Sequence, residues 1–354
     1  MAYTTINLPT DYFNTITYTG TGASLANTGV GFQPDWVWIK GRSGATDHGL
    51  YDAVRGVQKD LVSNATSAET TQTTGLTAFG SDGFTVGALA KLNTSSATYV
   101  AWNWLGANTT VSNTSGSITS TVSANTTAGF SIVSWTGSGA NGTVGHGLGT
   151  TPAMIITKAR SAHGSDAWYV VHNKSWGNDG NGLVLNNTAS IYNRVSDLAG
   201  TGITAWSSST FTINQGSATF LNNTSIPYIG YCFAEIKGFS KFDSYTGNGS
   251  TDGTFVYTGF KPAFLLIKNS SNAGEYWQII DNKRDTYNVT FNRLFPNASD
   301  ANNTGLNPNI DFLSNGFKCR TASDGTNGSS RTYIYMAFAE NPFVSSAGIP
   351  TTAR

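Results

Sequence analysis

Pro34-Asp35-Trp36-Val37-Trp38-Ile39-Lys40 is the stretch from which the architecture is read. In an extended chain successive side chains alternate, so Trp36 and Trp38 share one face and Val37 and Ile39 the other. Both faces are apolar, which marks a central strand buried on both sides. Proline stands at its first position, where a missing N–H costs least. Lysine at the far end can lay its stem on the sheet and hold its ammonium in water. The same pattern returns as Pro152-Ala-Met-Ile-Ile-Thr-Lys158 and Pro262-Ala-Phe-Leu-Leu-Ile-Lys268, with 118 and then 110 residues from proline to proline. A period of that length is a whole domain rather than a solenoid unit.

Other landmarks recur in the same order. An aromatic-Thr-Gly turn precedes each proline, at Tyr18-Thr19-Gly20, Trp135-Thr136-Gly137 and Tyr245-Thr246-Gly247, with Gly-to-Pro distances of 14, 15 and 15. An aromatic follows each lysine (Tyr51, Trp168, Trp277), then an apolar-x-x-Asn step (Leu61 to Asn64, Leu183 to Asn186, Leu294 to Asn297). Phe84, Phe211 and Phe317 each lead a late strand, and the units close on Tyr99–Trp104, Tyr228–Phe233 and Tyr333–Phe338. Fixed ends with looser middles describe a strand frame carrying variable loops.

Short apolar runs bounded by Gly, Asn, Ser and Thr predict an all-β chain of three tandem antiparallel β-sandwiches, jelly-roll or lectin-like, with a small barrel as the alternative. Residues 1–106 form the first repeat, 107–128 a Ser/Thr/Asn/Gly linker with room for one strand, 129–236 the second repeat, 237–343 the third and 344–354 a tail. Helical periodicity is nearly absent; Asp52 to Leu61 has room for one short helix or turn. Charged residues make up 11% of the chain and the net charge is zero, with no basic run to neutralise phosphates, so no nucleic-acid partner is expected. Nor is membrane insertion, since no apolar run has spanning length. Two cysteines give no disulfide framework, and Cys232 and Cys319 read as buried thiols. The N-terminal stretch lacks the charged and apolar regions of a secretory signal.

Chemistry is harder to find. Glu235 and Glu340 stand at equivalent places after two closing strands and read as junction contacts; Asp52 with Arg55 and Asp281 with Arg284 read as local ion pairs of small worth. His48, His146, His163 and His172 read as loop residues. Asp47-His48 and His163…Asp166…His172 lack the fixed spacing of a zinc site. Asp243, Asp252 and Asp300 lie in loops able to offer oxygen ligands to calcium, but without a calcium-loop motif. No Gly-x-Ser-x-Gly elbow or phosphate loop is present. No catalytic residue, metal or cofactor is assigned. Trp176, Tyr192 and Trp206, in the long middle of the second unit and without repeat partners, are the candidates for stacking on a sugar ring, against the competing expectation that large aromatics pack inside.

Gly31-Phe32-Gln33-Pro34 through Arg42, Tyr51-Asp-Ala-Val-Arg55-Gly56, Ser81-Asp-Gly-Phe84-Thr-Val-Gly87 and Tyr99-Val-Ala-Trp102 together resemble an uncharacterised repeat domain of structural proteins of marine bacteriophages, including cyanophages. Gly238-Phe239, Gly259-Phe-Lys-Pro262 and Asp311-Phe-Leu-Ser-Asn-Gly-Phe317 carry the likeness into the third unit, while the second departs most, with Gly149-Thr-Thr-Pro152 and with His172 where Asp is expected. The resemblance implies a virion protein, made in the host cytoplasm, that assembles with other virion proteins and with copies of itself. The tail (fibre, baseplate or tip) comes first and capsid decoration second; a host-surface adhesin for bacterial polysaccharide is the alternative. The resemblance carries over no catalytic residue. A polysaccharide-degrading enzyme would need a carboxylate pair confined to one unit, and none stands out.

Overall fold

A computed structural model describes residues 3–162, 167–218, 220–303 and 310–352. The chain is nearly all β, and its paired strands are antiparallel apart from one isolated bridge, Ile118 with Val144. In the first third, one sheet has the order Phe13–Thr19, Thr98–Trp104, Trp36–Gly41, Gly49–Asp52, and a smaller one the order Leu25–Asn27, Gly83–Val86, Leu76–Gly80. The last third repeats this order as Ser240–Thr246, Thr332–Pro342, Phe260–Asn269, Gln278–Asp281 beside Phe255–Tyr257, Gly316–Cys319, Ile310–Leu313. The middle third carries the corresponding strands Phe130–Thr136, Pro227–Phe233, Met154–Ala159, Tyr169–His172, and Gly142–Gly145, Thr210–Asn214, Gly202–Trp206. Phe84, Phe211 and Phe317 all lie in the middle strand of a small sheet.

The two apolar faces of the Pro…Lys strands have different destinations. Val37 and Ile39 pack with Leu76, Phe84 and Val86 of the small sheet. Trp36 and Trp38 turn the other way, into a core shared by all three thirds, with Phe130, Ile156, Tyr231 and Phe233 from the second and Phe264, Leu266 and Phe338 from the last. Trp36 stacks on Tyr231 at 4.2 Å between ring centroids, and Phe13 stacks on Phe338 at 4.8 Å. Each large sheet is therefore a middle layer, which is why both of its faces are apolar.

Three details differ from the sequence expectation. Lys40, Lys158 and Lys268 are fully buried rather than reaching water. Pro262 lies inside its strand, where the register shifts on either side of it, as a residue without an N–H requires. Residues 107–128, read as a linker, contain Val111–Asn113 and Ser120–Asn125, which add to the edge of the second large sheet. Asp35 pins this crossing by accepting from Gly106 N at 2.7 Å and Asn108 N at 3.1 Å. The segment 52–61 forms turns and the short strand Lys59–Asp60; the two α-helices, Ala90–Asn93 and Asn173–Trp176, are single turns.

A buried asparagine six residues before each closing tyrosine clamps the aromatic-Thr-Gly hairpin. Asn93, Asn222 and Asn327 each accept from the backbone N–H of Thr21, Ser138 and Asn248, and donate to the carbonyls of Ala23, Ala140 and Ser250. The closing tyrosine hydroxyl accepts a backbone N–H next to each clamp, from Thr94, Asn223 and Gly328. Gly20, Gly137 and Gly247 are required there, because a Cβ at any of them would collide with backbone of this segment.

Candidate functional site

Hydrogen bonds of one kind join each third to another at matching positions. Asn302 N donates to Arg42 O, Glu69 N to Arg160 O and Ile191 N to Ser270 O, at 2.8–2.9 Å. In a second series Trp168 Nε1 donates to Val62 O at 2.8 Å, Trp277 Nε1 to Val184 O at 3.0 Å, and His48 Nε2 to Phe295 O at 2.9 Å. The counterpart of Trp168 and Trp277 is thus His48, not Tyr51. Trp38 Nε1 donates to His48 Nδ1, which fixes the neutral tautomer, and burial holds this ring's pKa well below its ordinary value. The first seam lies between the first and last thirds, and the N-terminus also docks on the last third through Tyr3 OH to Gly259 O and Thr4 Oγ1 to Lys237 O.

A third series uses the repeated acid. Tyr231 OH donates to Asp52 Oδ2 at 2.8 Å, and Trp102 Nε1 to Asp281 Oδ2 at 3.0 Å. Asp52 also bonds Arg55 and Asp281 bonds Arg284, all with fully buried side chains. They are the local ion pairs expected from the sequence, each also closing a turn through the arginine N–H, but they are buried and extend across a seam. The third position of the series holds Met336, which has no donor, and His172, whose Nε2 is buried without a hydrogen-bond partner. His172 Nδ1 accepts from Ser175 N, and burial pulls the ring down to a pKa of about 4. The lysines vary likewise. Lys40 Nζ donates across a seam to Ser299 O and Lys158 Nζ to Thr66 O, whereas Lys268 Nζ donates to Asn269 O in its own strand. Burial draws both Lys40 and Lys268 down to about 8.

The remaining candidates resolve into ion pairs and buried groups. Glu235 bonds Lys174 and Lys241 at the junction of the second and last thirds, and Glu340 bonds Lys261 and Asn282. Asp243 is held by Lys174 and Lys241, and Asp252 by Lys318 and Arg320, so ammonium and guanidinium groups occupy the carboxylates considered for calcium; Asp300 is exposed. His146 lies in the loop after Gly142–Gly145, as expected, but is buried there, with Nδ1 accepting from Leu148 N. His163 and Asp166 lie outside the described residues. Among the described residues no group of three His, Cys, Asp or Glu is placed to hold a metal ion. Cys232 and Cys319 are buried free thiols.

The three aromatic candidates are separated. Trp176 is half-buried on the shared core, edge-on to His172. Trp206 is half-buried on the second third's own core and donates Nε1 to Gly177 O at 2.9 Å. Tyr192 borders a cavity of about 300 Å³ walled by Tyr169, Val184, Leu198 and Phe220, rimmed by Asn186 and Asp197 and closed on one side by Thr66 of the first third. Tyr169 sits at the first residue of the strand after the lysine and Phe220 eight residues before the closing tyrosine. The same two places hold Gly49 and Lys91 in the first third, where Lys91 forms an ion pair with Asp60, and Gln278 and Gly325 in the last, where Gln278 Oε1 is buried without a partner. One place in the frame thus carries three chemistries.

Sequence reasoning passed over the clamping asparagines, whose signal is Asn at six residues before each closing Tyr. It also passed over Phe255 and Tyr257, which alternate around the buried Val256 and are 46% and 53% exposed. No helix is long and apolar enough to cross a membrane among the described residues. No curated protein matches the chain. Residues 8–342, nearly the whole length and all three sheet pairs, match a family described as a domain of unknown function (DUF7483), and the chain belongs to that family.

Proposed function

We propose that this chain is a non-enzymatic structural protein of a bacteriophage particle, a tail component (fibre, baseplate or tip) that assembles with other virion proteins and with further copies of itself. In this reading its thirds are tandem copies of one antiparallel β-sandwich unit, closed head-to-tail into a ring about a common aromatic core. The observation that carries the proposal is the set of matching backbone bonds Asn302 to Arg42, Glu69 to Arg160 and Ile191 to Ser270. A closed ring of equivalent units offers the same surface three times, which suits attachment on a threefold axis. Buried seam networks supply rigidity, and a surface poor in charge and rich in short polar side chains suits wet, hydrogen-bonded contacts. The resemblance to phage structural proteins points the same way.

Immunogold labelling of intact particles with an antibody to this chain tests the proposal. Gold confined to the tail is the expected result. Gold over the head would move the chain to capsid decoration, and particles without gold and without this chain by mass spectrometry would overturn the reading.

A further inference from the structure

The cavity beside Tyr192, lined by the second third and by Thr66 of the first, is built as a site rather than left as a packing gap. Tyr169 and Phe220, 1% and 5% exposed, pack on each other behind it with ring centroids 4.9 Å apart, and the half-buried Tyr192 presents the accessible ring at the rim. Its polar groups are held in place. Asn186 Oδ1 accepts from Trp168 N at 2.9 Å, which fixes the amide and leaves its NH2 as a donor. Asn187 Nδ2 donates to Tyr192 OH at 3.2 Å, orienting that hydroxyl. The exposed Asp197 accepts from Asn193 N at 2.7 Å and Ser196 Oγ at 3.0 Å, one bond per oxygen, so each oxygen keeps a lone pair for a ligand. The loop that carries these residues is tied to its surroundings by Ile191 N to Ser270 O, Tyr192 N to Gly182 O and Arg194 Nε to Asp179 O. A site ordered before binding loses little entropy on binding.

We propose that this cavity binds a neutral pyranose residue of a glycan. The Tyr192 ring matches a C–H face of a sugar ring, while an amide donor and a carboxylate acceptor at the rim match its hydroxyl pairs. Asp197 selects against anionic sugars by like-charge repulsion. A volume of about 300 Å³ lies at the small end of ligand pockets, enough for one or two sugar residues. The equivalent places in the other thirds hold Gly49 with Lys91 and Gln278 with Gly325, so the frame itself does not demand an aromatic cavity here. The proposal does not depend on where the chain sits in a particle, so it and the tail assignment fail separately.

Saturation-transfer NMR on the full chain with glucose, galactose, mannose and N-acetylglucosamine tests it. At least one sugar is expected to show transfer, with Asp197→Ala and Tyr192→Ala each weakening its Kd at least about tenfold, or ~1.4 kcal/mol. Trp176→Ala, away from the cavity, is expected to keep the wild-type affinity. Asp197 is exposed, so its variant tests the site without threatening the fold. Absence of transfer from all four sugars at millimolar concentration, transfer unchanged in both variants, or binding only of an apolar probe such as indole would overturn the proposal.

Discussion

Tyr231→Phe removes one hydroxyl at one seam. The substitution keeps the ring that stacks on Trp36 at 4.2 Å and removes the hydroxyl that donates to Asp52 Oδ2 at 2.8 Å and accepts a longer bond from Arg55 Nη2 at 3.4 Å, a donor that keeps Leu50 O. Asp52 retains Arg55 Nε and the Arg55 backbone N–H, so the carboxylate stays paired. A buried hydrogen bond to a charged group contributes about 1.5–3 kcal/mol, and that is the expected loss. The shared core makes the 354 residues one cooperative unit, for which an unfolding entropy of about 2.1 cal/mol/K per residue turns this loss into a fall in Tm of roughly 2–4 °C. Urea denaturation gives the free energy, and scanning calorimetry gives Tm and the number of transitions. The variant and the parent should each unfold in one transition, because removing any third would expose the aromatic faces of the other two. A loss under about 0.5 kcal/mol, within the range of ordinary surface substitutions, would refute the role of the bond. Separate transitions, with only one displaced, would refute the shared core.

Acid should destabilise the fold through His172. Its folded pKa of about 4 lies below the ordinary value, so its stabilising share is fully present above pH ~6.5 and is lost as pH falls toward 4. Between pH 6.5 and 5 that amounts to about 1.6 kcal/mol, and His172→Phe should flatten the pH dependence of urea stability by this amount; an unchanged slope would place the acid sensitivity elsewhere. Asn327→Ala removes the amide that donates to Ser250 O at 2.9 Å and Thr321 O at 2.8 Å, and should cost about 2–4 kcal/mol, with Asn93→Ala and Asn222→Ala in the same direction. Stability unaltered in all three would show the hairpins hold without clamps. Burial pushes the Cys319 thiol up to about 12 and raises that of Cys232 as well, so neither should react with a thiol reagent until the protein unfolds; fast labelling of the native chain would contradict their burial.

The sequence alone established the all-β class, the threefold recurrence of landmarks and the two-faced Pro…Lys strands. Those are local properties: alternation, turn residues and spacing are written in consecutive residues and need no partner to be read. What covers the Trp36–Trp38 face was beyond its reach, because that depends on residues from about 90 to 300 positions away. Lys40 illustrates the point, since an ammonium at a strand end is expected in water until a carbonyl from residue 299 is placed beside it. His48 does the same work as Trp168 and Trp277 although nothing in their chemistry as residue types aligns them. Tyr192 was legible as an unrepeated aromatic, but its separation from Trp176 and Trp206 was not. Which side chains line a cavity and which close a core follows from how sheets pack, and packing is decided between segments rather than along one.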